Sequence, residues 1–233
     1  MDARYTRREA LGLGLGLGAV AALSGCLGGA GSGGSARTPA ASNPDGATGA
    51  GGGSSAGTGT RTATDADGPP VADRRLYVPH EAARLREAVV SGGPGKDGIP
   101  SIDEPVFVDA ATAGEAVRPS DIVLGVAAEG TVKAYPRRIL AHHEIVNDRI
   151  GDTPVSVTYC PLTGTAQGFE RGDTTFGVSG DLVNSNLVMY DRATDSRWPQ
   201  MLATAISGPF AGETLREFDV VWTTWERWRA APP

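Results

Sequence analysis

A mainly β, antiparallel or α+β single domain with a few short helices, preceded by a disordered tether, is the fold this sequence predicts. Three observations lead there. Most of the excess among 33 glycines and 16 prolines falls before residue 70, where sizeable apolar side chains almost vanish after Leu27. From about Leu76 the apolar residues return as short β-prone runs bounded by turn residues. Helical and strand patterns do not alternate regularly, which disfavours a doubly wound parallel sheet. Two cysteines in 233 residues exclude a disulfide-dense scaffold. A net charge of -6, with lysine only at Lys96 and Lys133, gives no electrostatic reason to bind nucleic acid.

Residues 1–25 read as an export signal. Arg7-Arg8 precedes an apolar run from Leu11 to Leu23 that is too short to span a bilayer, and Leu23-Ser24-Gly25-Cys26 closes it. The paired arginines read as a twin-arginine signal, so the twin-arginine export machinery is an expected transient partner. The Leu-Ser-Gly-Cys segment resembles a lipobox, which predicts lipidation of Cys26. Such a chain is held through one lipid on the extracytoplasmic face of the membrane without crossing it. Residues 26–75 then form the lipidated cysteine and a flexible Gly/Ala/Ser/Thr tether, with too little to bury to offset the entropy of ordering.

The domain proper is expected over 76–233. A helix is predicted from His80 to Val90, stopped by Ser91-Gly92-Gly93-Pro94. Pro105–Val108 is a β-prone run, and Ile122–Val126 with Thr131–Tyr135 forms a hairpin across Glu129-Gly130. Pro136 starts a short helix over Arg137–His142. Glu144–Ile150 and Pro154–Cys160 make a second hairpin around Gly151-Asp152. Further strand runs fall at Thr174–Val178, Leu187–Tyr190 and Val220–Trp222. Gly177-Val178-Ser179-Gly180 is one residue short of a hydrolase elbow and reads as a turn built from two glycines. Thr223-Thr224-Trp225-Glu226 has capping-box spacing, so a last helix begins there and runs to about Ala230.

Polar residues are densest between His142 and Trp198. The run His143–Asp148, Tyr159-Cys160-Pro161-Leu162, Phe176–Gly180, Asn184–Arg192, Trp198-Pro199-Gln200 and Thr223-Thr224-Trp225 together resemble the domain of unknown function 3179 family. The resemblance covers most of Asp121–Trp228. It implies an exported bacterial or archaeal domain, often with a lipoprotein signal, and carries no catalytic residue with it. Many members resemble Cys-Pro-Leu-Cys where this chain has Thr163, and members usually continue past the Trp228 region, so the stop at Pro232-Pro233 reads as either a short variant or a domain truncated at its C-terminus.

Cys160 is the one cysteine left in the domain, and three roles stay open for it: a buried small hydrophobe, a thiolate metal ligand, and a catalytic nucleophile. With Thr163 in place of a second thiol, dithiol exchange is excluded. Of the adjacent histidines only one can face the same site, and His143, which Glu144 could orient, is the candidate ligand or base. Asn147 stands where a zincin motif needs its second histidine. Met189 would complete with Cys160 and His143 a soft set that suits copper, zinc being the other metal considered. Tyr159, Asn184, Asn186 and Asp191 are candidate ligand contacts, the bland alternative for the polar residues of this run being turn capping. Two function classes follow: a lipid-anchored ligand- or transition-metal-binding module, or an enzyme with Cys160 as nucleophile and His143 as base. A purely structural role is the third.

Overall fold

The computed structural model describes residues 8–11, 67–74 and 81–231. Arg7, Cys26 and most of the expected tether lie outside them. The architecture is mainly antiparallel β-structure with four short helices. In chain order the elements are β1 (Arg8–Leu11), α1 (Ala82–Glu87), β2 (Val90–Ser91), β3 (Phe107–Asp109) and α2 (Ala110–Ala116). The hairpin β4 (Ile122–Ala128) and β5 (Thr131–Pro136) leads into α3 (Arg137–His143), then β6 (Ile145–Ile150), β7 (Thr153–Cys160) and β8 (Thr165–Glu170). There follow β9 (Phe176–Val183), β10 (Asn186–Asp191), β11 (Arg197–Pro199), a 3-10 turn Gln200–Leu202, β12 (Glu217–Phe218), β13 (Val221–Thr224) and α4 (Trp225–Ala230). Among the described residues no helix is long and apolar enough to cross a membrane.

Three sheets stack in layers. A five-stranded sheet runs β13-β4-β5-β1-β3, a four-stranded middle sheet β12-β8-β7-β6, and a four-stranded outer sheet β11-β10-β9-β2. Leu124, Val126 and Tyr135 of the first sheet meet Val155, Val157 and Tyr159 of the middle one, with Ile139 and Leu140 of α3 closing the space. The other face of the middle sheet gives Ile145, Cys160 and Phe169 to a second core with Phe176, Leu187, Met189 and Trp198. A third core lies under Trp225 and Trp228 of α4. Each fully buried large side chain contributes on the order of 1.5–3 kcal/mol.

Most expected elements are present, and the differences have physical causes. Gly177 and Gly180 lie inside β9, not in a turn: a Cβ on Gly177 would stand 2.6 Å from the Tyr190 ring, and one on Gly180 2.0 Å from the Pro94 carbonyl. These glycines let a ring and a loop backbone close onto the strand. The turn is the next two residues but three, Asn184-Ser185, both at positive φ as a tight two-residue hairpin requires. The cap of α4 is Thr224, whose side chain accepts from Arg227 N at 3.4 Å, so the helix starts one residue later than a box built on Thr223 would place it. Part of the stretch assigned to the tether lies along the domain: Val71 bridges Leu215, and Ala72 N donates to Thr214 O at 2.7 Å. Arg8, half of the expected twin-arginine pair, begins β1.

Candidate functional site

Strand β7 reads Thr-Pro-Val-Ser-Val-Thr-Tyr-Cys, and a strand sends successive side chains to opposite faces. Val155, Val157 and Tyr159 therefore enter the first core, while Ser156, Thr158 and Cys160 face the outer sheet. Both faces are covered, so the polar side chains on the second face need partners inside the protein. Ser156 donates to Asn147 Oδ1 at 2.6 Å, and the Asn147 amide brackets Phe176, accepting from its N at 3.0 Å and donating to its O at 2.9 Å. Thr158 Oγ1 accepts from Gln200 Nε2 at 2.9 Å. Gln200 Oε1 takes hydrogen bonds from Thr165 at 2.7 Å and Asn186 Nδ2 at 3.0 Å, and Thr163 joins Thr165 at 2.8 Å. These bonds form a buried polar seam between the two sheets.

Cys160 ends this seam. It is 1% exposed, and its sulfur accepts from Leu187 N at 3.4 Å and lies 3.8 Å from Ser185 O. A substrate would reach it only if the surrounding packing opened. Met189 shares the same core cluster. His143 ends α3 with Nδ1 2.9 Å from the Pro100 carbonyl. Among the described residues no group of three or more His, Cys, Asp or Glu side chains converges to hold a metal ion.

The four candidate ligand contacts are dispersed. Tyr159 lies on the face of β7 opposite Cys160, its ring 5.8 Å from Trp222 and its hydroxyl accepting from Arg137 at 3.4 Å. Asn184 is exposed at the hairpin tip. Asn186 is bound into the seam, its Oδ1 also accepting from Met201 N at 3.0 Å. Asp191, at the far end of β10, accepts from Thr194 N at 2.7 Å and Trp198 Nε1 at 3.0 Å, so it organises the turn into β11.

Glu144 is the residue that sequence reasoning undervalued. Helix α3 has to reverse directly into β6, and no glycine stands at the junction. Glu144 takes the turn at φ +59 and ψ -32, its N–H donating to Leu140 O and its carbonyl accepting from Tyr159 N, both at 2.7 Å. Such backbone costs a non-glycine residue about 1–3 kcal/mol and gathers at functional positions. The side chain is 8% exposed, and among the described residues its carboxyl has no hydrogen bond and no ion pair. It does not orient His143, whose Nδ1 is on Pro100. Burial pushes the Glu144 carboxyl up to about 7. The one sequence signal was its place between a helical run ending in His143 and a strand, with no capping glycine.

Fold and site define a layered, mainly antiparallel β domain with a buried thiol, a hydrogen-bonded polar seam and, at Glu144, a largely buried residue whose carboxyl has no partner among the described residues. The chain belongs to the family described as protein of unknown function DUF3179, whose model matches residues 96–233. No curated protein and no solved structure matches it.

Proposed function

We propose that this chain is a membrane-anchored extracytoplasmic protein that binds a small ligand through the carboxyl group of Glu144. Glu144 carries the binding half of the reading: the residue is 8% exposed and its carboxyl has no hydrogen-bond or ion-pair partner among the described residues, while its oxygens still touch solvent, from which a ligand can reach them. Partial desolvation with no bonded partner disfavours its charged form. A ligand presenting an N–H donor or an ammonium group offsets that cost. The anchoring half rests on Arg7-Arg8, the apolar run to Leu23, and Cys26 at the end of a lipobox-like segment.

The test is a thermal-shift screen of the full chain against amines, amino acids and guanidines at pH 8, repeated with Glu144→Gln. Compounds that raise the Tm of the wild type and lose that effect in the variant support the reading. Hits that stabilise both proteins equally, or no hits, overturn it. Anchoring is tested separately by the mass of the protein recovered from membranes, where a lipid on Cys26 and its loss with Cys26→Ser are expected.

The shared burial of Cys160 and Met189 in one cluster favours a second reading, soft-metal binding with His143 as the third ligand. Untagged protein carrying copper or zinc that Cys160→Ser loses would support it, and metal-free protein would remove it.

A further inference from the structure

Among the described residues strand β3 joins its sheet only through β1: Glu9 pairs Asp109, Ala10 pairs Val108 and Leu11 pairs Phe107, antiparallel. On its other side β1 runs parallel to β5, with Arg8 opposite Val132, Glu9 opposite Lys133 and Ala10 opposite Ala134. Without β1, β3 and β5 would stand two strand spacings apart, about 9.5 Å, with two unpaired edges facing one gap. The export reading under Proposed function, on which this inference rests, removes residues 1–25 and so removes β1.

The gap would not close by drawing β3 inward, because β3 is anchored by its side chains independently of β1. Phe107 packs against the first core, its ring 5.6 Å from Tyr135 in an edge contact and 4.5 Å beneath the Lys133 ammonium. Val108 packs on the opposite side, against the third core beside Ala113 and Ala134. The two faces of β3 are thus pinned on either side of the sheet. Helix α2 follows β3 directly and lies against β1, roofing the slot.

We propose that the gap between β3 and β5 is a strand-acceptor site, filled by Arg8–Leu11 in the precursor and by an extended segment of a partner polypeptide in the processed protein. Main-chain hydrogen bonds from two edges supply the affinity, as in other strand-addition interfaces. The register defines the partner. Its central residue stands between Val108 and Ala134, which belong to the core side under α2, so a small side chain fits there. The preceding residue stands between Lys133 and Asp109 and is polar. In the precursor the same pairing ties Arg8 into the folded sheet, so the export machinery has to draw the strand out before it can read both arginines.

Hydrogen exchange on the full chain and on mature protein recovered from membranes tests the site. In the full chain, the amides within 107–109 and 132–134 that face β1 are expected to exchange at least about tenfold more slowly than in an Ala10→Pro variant, since proline cannot complete the ladder. In the mature protein these amides are expected to be fast, and a peptide of residues 5–13 to slow them saturably, while the same peptide with Ala10→Pro has no effect. Equal exchange in full chain and variant, or mature protein that neither peptide protects, overturns the strand-acceptor site. The full-chain arm requires no processing, and the mass of the membrane protein reports separately whether residues 1–25 are gone. A failure of export is therefore distinguishable from a failure of the slot.

Discussion

The ammonium of Lys133 stands 2.9 Å from both carboxylate oxygens of Asp148 and donates to the Arg149 carbonyl at 2.8 Å. Tyr135 adds its hydroxyl to the same carboxylate at 2.7 Å, and the Phe107 ring lies under the cation. Burial, with the Asp148 charge beside it, holds the Tyr135 phenol well above its usual range, so it stays a donor. In an arginine-rich chain both lysines are used alike: Lys96 pairs with Asp195 and sits 4.0 Å over the Tyr190 ring.

Removing one member of the Lys133–Asp148 pair leaves a charge with little solvent. Asp148→Asn is expected to lower the urea unfolding free energy by about 3 kcal/mol, the usual cost of stranding one partner of a buried pair. The double replacement Lys133→Met with Asp148→Leu is expected to cost less than either single change. A double mutant at least as unstable as the worse single would refute this account of the pair.

The polar seam makes a similar demand. Gln200→Ala removes one partner each from Thr158, Thr165 and Asn186, which keep bonds to the Gln167 carbonyl, to Thr163 and to one another, and it leaves a cavity between two sheets. A loss of roughly 1–3 kcal/mol is expected, from the hydrogen bonds removed and the cavity left behind, partly relieved by water entering it. Equilibrium denaturation checks it, and a cost under about 0.5 kcal/mol would show that the seam carries no stability.

The Glu144 carboxyl titrates near 7 in the folded protein against an ordinary value of 4.5, so the folded state holds its proton more tightly than the unfolded chain. Stability from this group is therefore fully present below about pH 4.5 and is lost as pH rises to about 7. Relative to wild type, Glu144→Gln is expected to become progressively more stabilising across that window and to level off above it. Thermal unfolding from pH 5 to 8 measures the difference, and a constant offset between the two proteins contradicts it.

Cys160 should behave as a core residue. In a Cys26→Ser protein a thiol reagent is expected to modify Cys160 fully when denatured and, in the native state, only at the rate of local opening, orders of magnitude slower. Rapid labelling of native protein would restore the nucleophile role that the burial of Cys160 argues against.

Much of this architecture was legible because it is local. The Glu129-Gly130 hairpin, the helix after Pro136 and the helix capped near Thr224 all follow from chemistry within a few residues. The short strands β8, β11 and β12 were not legible, since each pairs with a neighbour without a strong pattern of its own. Gly177 and Gly180 misled for the same reason: within the sequence two close glycines mean a turn, and only Tyr190 and the Pro94 carbonyl explain them in a strand.

At the site, sequence singled out Cys160, His143, Met189 and Asn186 by residue type, and type says nothing of direction. The β7 register sends Tyr159 and Cys160 to opposite cores, and the end of α3 places His143 on the Pro100 carbonyl. Thr158 and Gln200, 42 residues apart, look unremarkable until two sheets press them together.

Residue order alone determined the fold class, the family and the kind of short-range elements, because turns, caps and alternation are decided by neighbours. Tertiary structure alone decided which polar groups are satisfied. Hydrogen bonding in a buried interface depends on distant strands, and only after that accounting does Glu144 stand out as the carboxyl left without a partner among the described residues.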